Sequence, residues 1–167
     1  MTRVTGLFWR ALLAFLALPG VVAFLVPWHL RPRGAHFSVA ALPIVGIGTV
    51  LLLWCVRDFY VAGRRTLAPW APPERLVTLG LYRVSRNPMY VAVLTLLLGF
   101  ALGYRSITLG IYAAAVALAF HVRVVRYEEP TLARLSGSGW RAYRARVPRW
   151  IGAAPVATAR DDRELTG

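Results

Sequence analysis

The chain is predicted to be all-α: a polytopic bundle of helices set in a membrane. Three observations predict it. The first is composition, with 57% hydrophobic and 16% charged residues and a mean hydropathy of +0.54, where soluble domains carry about 25% charge. The second is a set of four uncharged apolar stretches, and the third is the way arginine is distributed between them. With 167 residues there is room for one domain, expected over 1–151, with residues 152–167 as a disordered tail that is Ala-rich and then charged. High hydropathy excludes the intrinsically disordered class. A single cysteine, Cys55, excludes a disulfide framework and a multi-thiolate metal site within the chain.

The stretches are residues 11–28, 39–56, 88–104 and 107–122, each 16 to 18 residues long. That is the short end of the roughly 17–25 needed to cross a bilayer core. Backbone amides in hydrocarbon must pair internally, so each is read as a helix. Pro19 should kink the first, because it lacks a donor and crowds the preceding turn. A signal peptide is the competing reading of this first stretch, but the apolar run is long and no Ala-x-Ala site follows it. Gly103-Tyr-Arg-Ser106 is short enough to make the third and fourth stretches an antiparallel hairpin. A fifth, re-entrant piece within 57–80 is the alternative count.

Charge orients the bundle. All 20 basic residues are arginine, against seven acids, for a net charge of +13. Six arginines fall in 57–86 and seven in 123–149, whereas Arg31, Arg33 and Arg105 stand alone on the other side. The positive-inside rule then puts both termini and both arginine-rich segments in the cytoplasm, at the inner membrane if the source is bacterial. The excess charge is read as topology plus contact with anionic membrane lipids, not as a nucleic-acid surface, because it is split between membrane-flanking segments.

Polar residues gather beside apolar walls in two places. In Gly80-Leu-Tyr-Arg-Val-Ser-Arg-Asn-Pro-Met-Tyr90, Pro88 suits a first helical turn and Asn87 falls at the N-cap. The unpaired amides there can receive a carboxylate or another electron-rich group, or form an ordinary cap. In Arg123-Val-Val-Arg-Tyr-Glu-Glu129, the acids need exposure or partners at a membrane helix end. Arg126 is the expected partner, and Pro130 argues for a break or bend. Ser136-Gly-Ser-Gly139 reads as a turn. His29, His36 and His121 have no companions at ligand spacing, and no Gly-rich phosphate loop or Ser-His-Asp set is present. Leu67-Ala-Pro-Trp-Ala-Pro-Pro73 cannot continue a helix.

Leu67-Ala-Pro-Trp70, Arg75-Leu-Val-Thr-x-Gly-x-Tyr82, Arg86-Asn-Pro-Met-Tyr90, Glu128-Glu129 and then Leu132, Gly137, Tyr143 and Arg146-Val-Pro148 together resemble a known family. It is the integral-membrane methyltransferases related to isoprenylcysteine carboxyl methyltransferase, whose pattern phospholipid N-methyltransferases share. The resemblance covers roughly residues 65–150. It implies an S-adenosyl-L-methionine-dependent methyltransferase acting on a lipophilic acceptor, with the cofactor on the cytoplasmic side. The family's cofactor contacts fall on Arg75, Leu76, Val77, Tyr82, Asn87, Pro88, Met89, Tyr90 and Glu128, and Tyr143 to Pro148 would fold over as a lid. No metal is implied.

The arginine that holds the substrate carboxylate in the prenylcysteine enzymes aligns with Val124 here. Its flanking residues Arg123 and Arg126 become the candidates for orienting the acceptor. The family's frequent histidine is Asn87, which can hydrogen-bond but cannot shuttle a proton at neutral pH. Two other readings remain open at the level of sequence: an NADPH-dependent membrane lipid or steroid reductase, and a non-catalytic lipid-binding membrane protein. The acceptor and the oligomeric state are not legible.

Overall fold

A computed structural model describes residues 19–62 and 78–152, and among these residues every regular element is helical. Pro19 and Gly20 are already helical and lead into a π-turn, Val21–Leu25, followed by α1, Val26–Leu30. A 3-10 lead-in, Val39–Ala41, opens α2, Leu42–Ala62. A short 3-10 turn, Gly80–Arg83, precedes α3, Pro88–Gly103. Then come α4, Ile107–Arg123, a second π-turn, Val124–Glu128, and α5, Glu129–Arg146. Residues 11–18 of the first apolar stretch, Arg75, Leu76 and Val77, and the tail beyond residue 152 lie outside the described residues.

α3 is the central element. Val93, Leu96 and Leu97 are buried with Ala23 of the first π-turn, and Val45, Leu52, Tyr112, Val116 and Phe120 pack around them from α2 and α4. Glycine makes the α2–α3 approach possible: a Cβ at Gly48 would sit 2.9 Å from the Leu96 amide nitrogen, and one at Gly99 would sit 2.7 Å from Val45 Cγ2. Small residues of this kind let helix backbones close up where lipid offers no hydrophobic drive between helices. Tyr112 donates to the Val22 carbonyl (3.0 Å), tying α4 to the first segment.

The outward faces remain apolar. Leu53 is 62% exposed, Ile111 66% and Ile107 82%. The run Val39–Asp58 and the continuous helix Ile107–Arg146 are both long and apolar enough to cross a membrane, and Val21–Leu30 and Pro88–Gly103 are shorter apolar helices. The predicted hairpin forms. It closes through Ser106 N–H to Ala101 O (3.0 Å) and Arg105 N–H to Leu102 O (3.2 Å), with Arg105 at φ 49. That is the left-handed helix stop usually given to glycine.

One expectation is corrected. Pro130 does not end the fourth helix. It enters at the start of α5, directly after a π-turn whose Glu129 N–H reaches back to Val124 O. The wider ring relieves the crowding between a proline and the carbonyl four residues earlier. The bend comes later, at Gly137 (φ 45, ψ −115), within the stretch expected to turn.

Candidate functional site

The site begins with the strip between the 3-10 turn and α3. Tyr82 N–H bonds Leu79 O (3.1 Å), and Val84 and Ser85 N–H both reach Leu81 O at 3.1 Å, which winds the strip tightly. Asn87 then takes the N-cap position of α3 and Pro88 its first turn. The first backbone bond of that helix is Val91 N–H to Asn87 O (3.2 Å). The amides of Met89 and Tyr90 therefore precede the helical ladder, at the positive end of the helix dipole.

Asn87 sits at the cap without capping through its side chain. Its Nδ2 donates instead to the carbonyl of Arg149 (3.0 Å), and its own N–H goes to Ser85 Oγ (3.1 Å). Arg86 N–H donates to Pro148 O (2.9 Å), so the segment after α5 is laid along the strip as a strap. Tyr143 Oη completes the seam by donating to the Tyr82 carbonyl at 2.7 Å. Tyr143 and Val147 are buried with Trp140 beneath Leu132. Burial pushes the Tyr143 phenol up to about 12. Tyr82 is also raised, by its own burial and then by Cys55, Tyr143, Asp58 and Tyr90 around it.

The acidic pair divides. Glu128 faces α3, where Tyr90 Oη donates to its Oε1 and Arg123 Nε donates to the same oxygen at 2.8 Å. Glu128 Oε2 takes no hydrogen bond from the described residues. The expected partner, Arg126, is exposed and belongs to no ion pair among the described residues. The π-turn explains the exchange: its i→i+5 bonding brings residues five apart onto one side, where a regular helix would favour three or four. The Tyr90 ring stacks on Phe120 of α4, with centroids 4.3 Å apart, so the carboxylate has an aromatic wall.

Glu129 turns to the other side. Arg149 grips it through Nε to Oε1 (2.7 Å) and Nη2 to Oε2 (2.9 Å), the paired-donor geometry arginine favours with carboxylates. Arg86 Nη1 also lies 3.0 Å from Oε1, with a side chain only 5% exposed. The contact is a close ion pair with poor hydrogen-bond angles, and among the described residues Arg86 Nε and Nη1 have no hydrogen-bond partner. The Arg86 guanidinium lies 5.4 Å from the Trp140 ring centre. Burial raises the Glu129 pKa, but the Arg149 hydrogen bond and the charges of Arg86, Arg149 and Arg144 outweigh it, so the group ends below its usual range. For Arg86 the balance reverses: burial lowers its pKa despite the pull of Glu129.

Of the residues predicted from the sequence, Tyr82, Asn87, Pro88, Met89, Tyr90, Arg123 and Glu128 occupy one end of the bundle, around the start of α3. Two contributors were not singled out. Arg149 gave no sequence signal, since it pairs across 20 positions. Asp58 stood in plain view as the acid that ends an apolar stretch. It is 6% exposed, and its Oδ2 accepts from Leu81 N–H at 3.2 Å.

The chain matches the phospholipid methyltransferase family over residues 37–138 and belongs to it. It is similar to the nickel-cobalt-cadmium resistance protein NccN of Alcaligenes xylosoxydans xylosoxydans, at 33% identity over 121 residues, covering 68% of this chain and 51% of that protein. It is also similar to the cobalt-zinc-cadmium resistance protein CzcN of Cupriavidus metallidurans, at 34% identity over 132 residues, covering 75% of this chain and 53% of that protein. The chain thus spans about half the length of the curated relatives it matches. No solved structure matches it. Among the described residues, no three of His, Cys, Asp and Glu stand close enough to hold a metal ion.

Proposed function

We propose that the protein is an integral-membrane methyltransferase that takes its methyl group from S-adenosyl-L-methionine and passes it to a lipophilic acceptor. The chain crosses the membrane four times in this reading, with both termini and the cofactor site on the cytoplasmic side. One observation carries it: Tyr90, at the start of α3, bonds directly to Glu128, so the two segments singled out in the sequence form one polar place against an aromatic wall.

The residues present fit this cofactor. The amides that open α3 suit its carboxylate, and Tyr82, Tyr90 and Met89 offer flat or polarisable surface to adenine. Glu128, with Oε2 uncommitted among the described residues, suits an ammonium or sulfonium. When bound, the cofactor supplies an electrophilic methyl on a positively charged sulfur. The chain's own work is then alignment and exclusion of water, which lower the barrier without a metal. Arg123 holds Glu128 and presents the rest of its guanidinium outward, where it can orient a polar group of the acceptor. The strap from Val147 to Trp150 covers the strip and keeps water from it. Asn87 has no base role in this scheme, because its side chain is engaged by the strap.

Titration of S-adenosylhomocysteine into the full chain in nanodiscs tests the reading. Binding is expected, and Glu128→Gln should weaken it far more than the same change at Glu74, the acid just before Arg75 in the sequence. Absence of binding in nanodiscs and in several detergents would overturn it. Incubating membranes with radiolabelled methyl donor, then extracting lipids, identifies the acceptor class.

A further inference from the structure

We propose that Asp58 is a positioning residue for the cofactor strip, reaching from the end of α2 to cap the Leu81 amide and hold Gly80–Arg83 against the bundle. The inference rests on the methyl-donor reading above for what the strip is held to do.

Acids are scarce and expensive in a helix of this kind, and those present are paired or functional. Asp58 is one of three acids among the described residues, with a side chain 7% exposed. Its neighbour Arg57 is 3.6 Å away and 72% exposed, a loose pairing that does not account for burying the carboxylate. Leu81 N–H does. The first amides of a helical turn have no partner within it. The residue before this turn, Leu79, supplies no side-chain cap. Asp58 provides the cap from 23 positions away (3.2 Å), a charge-assisted bond that is stronger than a neutral one.

The opposing surface is shaped to the carboxylate. Gly80 has φ +56, where a side chain is strained, and a Cβ there would fall on the Asp58 carboxyl group. The turn can approach α2 this closely only with glycine at that position. On its far side the same turn is held by Tyr143 Oη on the Tyr82 carbonyl (2.7 Å). The turn thus lies between two helices, with a side-chain bond to each. Tyr82, the residue between the two bonds, has Cys55, Asp58, Tyr90 and Tyr143 as neighbours. Loss of the Asp58 bond frees the α2 side of the turn, and the Tyr82 ring it carries loses its fixed height.

The test uses the full chain in nanodiscs, with Asp58→Leu and Asp58→Asn. Leucine matches the branching of aspartate and suits a membrane helix, so the bundle is retained. Asparagine keeps an oxygen that can accept from Leu81. Two readouts are taken: S-adenosylhomocysteine affinity by titration calorimetry, and amide hydrogen exchange over residues 79–87 without ligand. Asp58→Leu is expected to weaken binding about tenfold or more and to speed exchange of the strip. Asp58→Asn should stay within about threefold of the parent in affinity and keep its protection, because a neutral bond gives up only a part of the charged one. Parental affinity and protection in Asp58→Leu would overturn the proposal, as would Asp58→Asn failing as badly as Asp58→Leu. If the parent itself does not bind the probe, the methyl-donor reading falls and takes the cofactor role with it, and the exchange data still decide whether Asp58 holds the turn.

Discussion

Replacing Glu129 with glutamine should cost far more stability than the same change at its neighbour Glu128. Glu129 is 13% exposed and faces Arg86 at 5% and Arg149 at 32%. Removing one partner of a buried pair typically costs about 3–5 kcal/mol, because the remaining charge stays out of water. Here that charge is Arg86. Arg149 can turn to solvent, and exposed pairs contribute about 0–1 kcal/mol. Glutamine keeps one acceptor oxygen, worth about 1 kcal/mol. The balance for Glu129→Gln is a loss of about 2–4 kcal/mol. Glu128 and Arg123 are 25% and 43% exposed, so Glu128→Gln should lose about 1 kcal/mol or less. Reversible unfolding by SDS in mixed micelles, followed by tryptophan fluorescence, measures both. A further arm replaces the buried pair outright with Arg86→Met and Glu129→Leu, and much of the lost stability should return. Equal losses for the two glutamines, or a Glu129→Gln protein as stable as the parent, would refute this division of labour.

Other outcomes follow from the same geometry. Because Glu129 is held below its unfolded value of 4.5, its pairing contributes stability above that value and loses it as pH falls through the lower folded value. Unfolding measured from pH 7 to pH 3 should show this acid limb, and Glu129→Gln should flatten it. Arg105, at φ 49 in the hairpin stop, should be improved by Arg105→Gly, by about 0.5–1 kcal/mol in the same unfolding assay. Gly99→Ala places a Cβ 2.7 Å from Val45 Cγ2 and 3.1 Å from its nitrogen, so α2 and α3 must separate, and a loss of about 1–3 kcal/mol is expected.

Much of the bundle was legible because hydrophobicity and proline act locally. Pro88 after Asn87 announces a helix start whatever packs around it, and the Gly103–Ser106 link is too short for anything but a hairpin. The two helices that outran their apolar stretches did so for different reasons. The second continues past Arg57 and Asp58 because Asp58 is satisfied by Leu81, a contact no local pattern encodes. The fourth continues past Pro130 because the π-turn absorbs the ring. At the site, sequence reasoning brought together the correct segments but not the correct partners. Regular helical spacing points to Arg126 for the acids, while the five-residue π spacing delivers Arg123. Asn87 takes the cap position that its sequence predicts, yet its side chain bonds the Arg149 carbonyl, 62 positions away.

The π-turn itself can be tested, because a π-turn amounts to one extra residue in an otherwise regular helix. Val125 is 36% exposed and lies within it, so its deletion removes little packing. The shortened helix keeps Arg123 and Glu128 at a spacing of four, which still allows their ion pair. What changes is the room at Pro130. In a regular helix a proline loses one backbone bond and crowds the carbonyl four residues back, at a cost of about 3 kcal/mol. Deleting Val125 should therefore destabilise the parent by about that amount and leave a Pro130→Ala protein nearly unchanged. The coupling between the two changes is the measured quantity. If the deletion costs the same in both backgrounds, the π-turn is not there to seat the proline. Its purpose would then lie with the acids alone, in setting Glu128 toward α3 and Glu129 toward the strap.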